Sequence, residues 1–149
     1  MIRLALLPVL AGCVLSSLTA CAAQNSPSTT EPPKDRVTLA GQTLSLENHQ
    51  QRCALRKPDQ SLLQLEIPWP CKFSPDRTGL PRVEAFNGSE LIIIVYHSQA
   101  EPEPSRRCKS QYQAVRQIQG RLETSVVAQS AFCMDGVIDQ KNFVGLFPW

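Results

Sequence analysis

The sequence contains few of the residues from which common enzyme sites are built. It has only two histidines, His49 and His97, and neither has a cysteine, an aspartate or a second histidine at ligand spacing. The motifs of serine hydrolases, zinc proteases, phosphate-binding loops and penicillin-binding enzymes are absent. No two cysteines have the C-x-x-C spacing that is typical of redox sites. We therefore predict no catalytic residue, no metal site and no cofactor.

An excess of charge of one sign is also absent. Lys and Arg number 15 against 13 Asp and Glu, which gives a formal net charge of +2. A protein with so weak a field is not expected to bind nucleic acid. The apolar fraction of 42% in 149 residues is instead typical of one globular domain.

The N-terminal residues have the composition of an export signal. Arg3 supplies a positive charge, an apolar run covers residues 4–10, and small residues precede Cys21. The sequence Leu18-Thr19-Ala20-Cys21 resembles the lipobox of bacterial lipoproteins. The resemblance implies a signal peptide over residues 1–20, a diacylglyceryl thioether on Cys21 and a third acyl chain, such as palmitate, on its freed amine. It covers only the export segment and identifies no domain family.

Two alternatives compete with this assignment. The sequence LAGC ends at Cys13 and also matches the lipobox, but it would leave a signal shorter than the usual ~15–30 residues. Cleavage there would also leave five cysteines, one of them unpaired in an oxidising compartment. An uncleaved transmembrane helix over residues 4–23 is long enough to span a membrane, although Pro8 and Gly12 weaken it.

The residues after Cys21 predict where the protein goes and how it is held. Ala22 and Ala23 follow, whereas an aspartate there tends to retain such lipoproteins in the inner membrane, so the resemblance implies the outer membrane. Residues 21–35 form the lipidated N-terminus and a linker rich in Ser, Thr, Pro and Gln, which cannot form a core. The globular domain is predicted to cover residues 36–149.

Four cysteines remain in that domain: Cys53, Cys71, Cys108 and Cys133. In a secreted domain of this size they predict two disulfides, for which three pairings are possible. We favour the sequential pairs because each closes a short loop. A zinc site would need close pairs of cysteines, and the spacings of 18, 37 and 25 residues do not provide them.

Alternating apolar residues predict a mainly β or α+β fold, a small antiparallel sheet domain with a short C-terminal helix, stapled by the two disulfides. The predicted strands cover residues 37–39, 44–46, 63–67, 82–86 and 90–97, with hairpin turns at Ala40-Gly41 and Asn87-Gly88. Within them, the apolar run at 91–96 is predicted to be the central buried strand.

Two further segments are less clear from the sequence. Residues 106–119 favour strands, although Tyr112, Val115 and Ile118 also have helical spacing. A helix over 140–147 is predicted to be capped by Asp139. Asp135 and Asp139 would alternatively form an acid pair, but the intervening Gly136 favours a turn followed by the cap.

Two clusters are candidates for binding a partner. Arg106, Arg107 and Lys109 flank Cys108 and follow the acidic loop at 101–105, so opposite charges neighbour each other and could dock a partner by electrostatic complementarity. The alternative is a solvated loop that serves solubility.

The second cluster is the segment 68–73, where Trp69 lies between two prolines and Phe73 follows a cysteine. A rigid, amphipathic aromatic of this kind is a favoured interface anchor. The alternative is that Trp69 covers the end of the core.

These features favour a non-catalytic binding domain on a lipid tether. It would bind or inhibit an envelope protein, such as a cell-wall hydrolase or a toxin. The alternatives are an assembly accessory of a secretion or pilus apparatus, and a small hydrolase whose site no motif indicates.

Overall fold

The computed structural model describes residues 33–87 and 90–149, in which ten strands and one short helix are found. The strands are β1 (Arg36–Leu39), β2 (Gln42–His49), β3 (Arg52–Arg56), β4 (Leu62–Pro68), β5 (Lys72–Phe73), β6 (Glu84–Phe86), β7 (Glu90–Ala100), β8 (Cys108–Ile118), β9 (Arg121–Thr124) and β10 (Ala128–Ser130), and the helix is α1 (Lys141–Val144). The predicted signal peptide, the acylation at Cys21 and most of the linker lie outside the described residues. Within the described ranges no helix has the length and apolarity needed to cross a membrane.

The strands form two antiparallel sheets, which confirms the predicted fold class. The first sheet is a meander in the order β1-β2-β3-β4. The second has the order β10-β8-β7-β5, with β6 pairing β7 and β9 pairing β8. The two sheets share one apolar cluster, to which β1–β4 contribute from one side and β5, β7 and β8 from the other.

The strand β7 is buried on both faces, as its continuous apolar run predicts. Ile93 and Val95 pack towards the first sheet. Ile92, Ile94 and Tyr96 point to the opposite face, where the C-terminal segment covers them with Phe143 and Phe147 among others. Since side chains alternate along a strand, a run that is apolar at every position needs such a cover on each side.

Local turn chemistry explains the hairpins. Ala40 and Gly41 both have positive φ, at 49° and 77°, and they connect β1 to β2 as predicted. The pairing of Phe86 with Glu90 closes the predicted β6–β7 hairpin, although residues 88 and 89 themselves are not described. Paired positive φ values give a turn whose twist matches that of the strands it joins.

Most of the ambiguous segment 106–119 is the strand β8, which is paired with β7 from Cys108 to Gln117. The C-terminal helix exists but is shorter than the predicted 140–147. It ends at Val144 because the chain turns at Gly145 and brings Phe147 onto the sheet. The N-cap residue is Gln140 rather than the predicted Asp139. The Asp139 carboxylate, one position earlier, accepts a hydrogen bond from the Lys141 N–H at 3.0 Å.

Both predicted disulfides are present. Cys53 on β3 is bonded to Cys71, which directly precedes β5, so this bond connects the two sheets. Cys108 at the start of β8 is bonded to Cys133, which follows β10. The first disulfide is buried, whereas Cys133 is exposed to solvent.

Candidate functional site

A surface groove of about 590 Å³ runs along β7, β8 and β10 beside the end of β4. Its floor is polar and is formed by His97, Gln99, Lys109, Gln111 and Gln129. These residues lie on the same sheet face as the buried Val95. His97 and Gln99 follow Val95 by two and four positions on β7, and the other three lie across from them on β8 or, one strand further, on β10. One sheet face is therefore apolar against the first sheet and polar in the groove.

The strand register arranges the floor in rows. Gln111 pairs with His97 on one side and with Gln129 on the other, so three polar side chains cross three strands. The next row pairs Gln99 with Lys109. Since glutamine can both donate and accept hydrogen bonds, the floor offers both functions to a bound group. No single stretch of sequence contains this set.

The predicted basic cluster lies at one end of the groove. Arg106, Arg107 and Lys109 are exposed, and Arg107 and Lys109 line the groove. Within the described residues, no carboxylate lies within 4.0 Å of any of these three cations. The nearby Glu101 instead accepts a hydrogen bond from the Ser105 hydroxyl at 2.9 Å. Opposite charges thus neighbour each other, as the sequence predicts, without forming an ion pair.

The segment 68–73 meets this groove only in part. Pro68 lines it, and the Pro70 carbonyl oxygen lies 2.8 Å from Nδ1 of His97. Because a carbonyl oxygen only accepts, that nitrogen carries the proton. Trp69 is half-buried and packs against the core cluster. Phe73 is 5% exposed within that cluster, so its ring is a core residue and is not available to a partner.

The exposed aromatic residue Phe132, close to the groove, was not predicted from the sequence. Phe132 is 82% exposed although it directly precedes Cys133. Its backbone is fixed, because its N–H donates to the Ser130 hydroxyl at 3.0 Å and its carbonyl accepts from the Ser110 hydroxyl at 2.7 Å. A phenylalanine beside a cysteine gives no indication in the sequence of whether it points into the core or into solvent.

The two aspartates considered as an acid pair have separate partners. Asp135 accepts hydrogen bonds from the Tyr96 hydroxyl at 3.0 Å and from Lys72 at 3.3 Å. Asp139 instead accepts one from the Lys141 N–H at the start of α1. Burial raises the pKa of Tyr96, and the hydrogen bond to Asp135 and its negative charge raise that pKa further.

In residues 33–87 and 90–149, no three His, Cys, Asp or Glu residues are grouped so that they could hold a metal ion. His49 lies at the end of β2, and His97 lies inside β7 rather than at its end. The surface with the most distinctive chemistry is therefore the one near the Cys108–Cys133 disulfide, which comprises the groove, the three cations and Phe132.

Compared with known proteins, the chain matches no protein-family model, no curated protein and no solved structure.

Proposed function

We propose that this protein is a bacterial lipoprotein, anchored in the outer membrane and facing the periplasm, whose domain binds or inhibits another protein of the cell envelope. The observation that carries the proposal is the surface near Cys108–Cys133. It combines an open polar groove, three cations that have no carboxylate partner among the described residues, and a solvent-exposed phenylalanine. In this proposal the domain acts by binding rather than by catalysis.

The rigidity of this surface supports a role in binding. A disulfide holds the start of β8 to the segment after β10, and two serine hydroxyls fix the backbone of Phe132. A surface that is ordered before binding loses less conformational entropy when a partner docks. Arginine is also among the residues that most often dominate binding free energy, and phenylalanine is enriched in the cores of protein interfaces.

The disulfides support the proposed compartment. Acylation of Cys21 and removal of Cys13 with the signal would leave four cysteines, and these four are all paired in the two disulfides. Disulfides persist in oxidising compartments such as the periplasm. Several acyl chains at ~0.8 kcal/mol per buried methylene would make the anchor stable.

The anchor is tested by two matched cysteine variants. We expect Cys21→Ser to abolish both acyl labelling and membrane fractionation, because the thioether cannot form. Cys13→Ser removes the competing cysteine and should leave both measurements unchanged. Labelling that depends on Cys13 would contradict the assignment and would leave one more cysteine in the mature chain.

The binding surface is tested by photo-crosslinking in cells. A photoreactive residue replaces Gln129 in the groove or, as a control, the exposed Arg77 in a different surface depression. We expect adducts of defined mass from position 129 and none from position 77. Equal adducts from both positions, or none from either, would contradict a binding role for the groove.

A further inference from the structure

The strand β10 differs from every other described strand in its composition. It lies at the edge of the second sheet, and its sequence Ala128-Gln129-Ser130 contains neither a charged residue nor a proline. Each of the other nine described strands contains at least one Arg, Lys or Glu. Charges and prolines on edge strands are the usual protection against pairing with another chain. Among the described residues of this edge strand, its shortness is the one such protection.

The charged residues near this edge are three cations and Glu101, which lines the groove and whose carboxylate accepts a hydrogen bond from the Ser105 hydroxyl, so the net charge there is positive. Gln129 continues the row formed by Gln111 and His97, and Lys109 and Arg107 line the same groove. Arg106 adds a third cation, and none of the three has a carboxylate partner in the described part of the chain. Phe132, exposed two residues beyond β10, adds an apolar contact at the end of the edge.

From these observations we infer that β10 binds an extended acidic segment of a partner protein, which adds as a further strand to the second sheet. This inference rests on the proposed binding function and specifies how the surface is used. The main-chain hydrogen bonds of the added strand provide affinity, and its alternate side chains provide specificity. Carboxylates on the groove side would pair with Arg107 and Lys109, and an apolar residue of the segment would contact Phe132.

The test uses the full-length, oxidised protein and three synthetic peptides of about ten residues, long enough to form one strand. The first alternates threonine with glutamate, the second alternates threonine with lysine, and the third is the first with alternate backbone nitrogens methylated. We expect only the first to bind, as measured by fluorescence anisotropy. Its affinity should fall as salt is added, because exposed ion pairs are screened. Amide hydrogen exchange should slow at residues 128–132 on binding.

Charge-reversal variants provide the matched comparison. Arg107→Glu combined with Lys109→Glu should weaken binding of the acidic peptide about tenfold or more, and should create binding of the lysine peptide. Arg36→Glu combined with Arg77→Glu makes the same change in net charge at exposed positions outside the groove, and should leave the affinity unchanged.

Three results would overturn the inference: no binding of the acidic peptide, equal binding of its methylated form, or equal weakening by both double variants. Failure here is distinguishable from failure of the proposed function. If position 129 still crosslinks a partner while no peptide binds, the groove is a binding site of another kind. If neither occurs, the binding role itself is wrong.

Discussion

Gln113 is a buried polar residue that connects the two sheets. It is 2% exposed on β8. Its side-chain oxygen accepts a hydrogen bond from the Glu66 N–H on β4 at 2.9 Å, and its side-chain nitrogen donates to the Ser125 carbonyl at 2.7 Å. Because buried backbone groups must be paired, this one amide satisfies a strand of the first sheet and a connection of the second.

We expect Gln113→Leu to destabilise the domain by about 3 kcal/mol, because two backbone groups lose their hydrogen-bond partners at similar side-chain volume. Urea unfolding measures the loss. Gln117→Leu is the control, since Gln117 lies on the same face of β8 and makes no side-chain hydrogen bond among the described residues. Equal losses in the two variants would mean that the bridge contributes nothing specific.

Ionisation of the Tyr96 phenol makes the free energy of unfolding depend on pH in the alkaline range. Burial and the neighbouring Asp135 raise the pKa of the folded-state phenol above its ordinary value of 10.0. The neutral phenol therefore contributes stability that is fully present below pH 10.0 and is lost as the pH rises above that value, where the unfolded chain ionises first.

We expect the free energy of unfolding of the wild type to fall between about pH 9 and about pH 11, and the fall to be smaller in Tyr96→Phe, which cannot ionise. Urea unfolding at both pH values measures this difference. Parallel pH dependence in the two proteins would show that other groups cause the fall.

At the scale of elements, two arginines hold the C-terminal segment on the second sheet. Arg116 on β8 pairs with Glu123 at 3.0 Å, donates to the Pro148 carbonyl at 3.2 Å and lies 4.5 Å from the centre of the Phe147 ring. Arg82 similarly bonds to Glu84 and to the Ile138 carbonyl. The helix α1 has only four residues, so these contacts and its buried phenylalanine, rather than helix propensity, keep the segment in place.

Arg116→Ala should destabilise the domain by about 2 kcal/mol, since a carbonyl loses its donor and two rings lose a cation. It should also make the segment after residue 138 more susceptible to proteolysis. Arg121→Ala is a matched control, because Arg121 faces the same Glu123 at 3.9 Å but is largely exposed, and its loss should change stability by less than about 0.5 kcal/mol. Equal rates of proteolysis in the two variants, or equal losses of stability, would contradict the prediction.

Some strands and turns could be predicted from their local sequence, and others could not. The run at 91–96 and the Ala40-Gly41 turn are strong local patterns, and both are confirmed. The strand β3 was not predicted, because the turn before it uses Gln50 and Gln51 at positive φ where glycine or asparagine is usual. The Asn48 side chain supports that turn by accepting the Gln51 N–H at 3.0 Å. A tertiary requirement for the hairpin thus outweighs local propensity.

For the whole molecule, the two disulfides differ in their surroundings. Cys53–Cys71 is buried between the sheets, whereas Cys133 of the second bond is exposed. The loops of 18 and 25 residues that they close should each be worth about 3 kcal/mol by the loop-entropy model. For a domain whose total stability is ~5–15 kcal/mol, losing both would cause a large fall in melting temperature.

Because thiol–disulfide exchange requires access to a sulfur atom, mild reduction of the folded protein should open Cys108–Cys133 first. Mass spectrometry after alkylation should find an intermediate that retains the 53–71 link. The variant with Cys108→Ala and Cys133→Ala should remain folded but be less stable by about 3 kcal/mol. An intermediate that retains only the 108–133 link would contradict this order.

The sequence by itself determined the features that depend on local pattern or on counting. Alternation of apolar residues was sufficient for the β class. The four cysteines predicted two disulfides and favoured the sequential pairing among three possible ones, and the structure has that pairing. The tertiary structure decided the groove floor, the bridge formed by Gln113 and the exposure of Phe132. The physical reason is that neighbours across strands, such as Gln111 and Gln129, are set by sheet register, and a side chain's burial is set by what packs over its face. Neither quantity is a property of any short stretch of sequence.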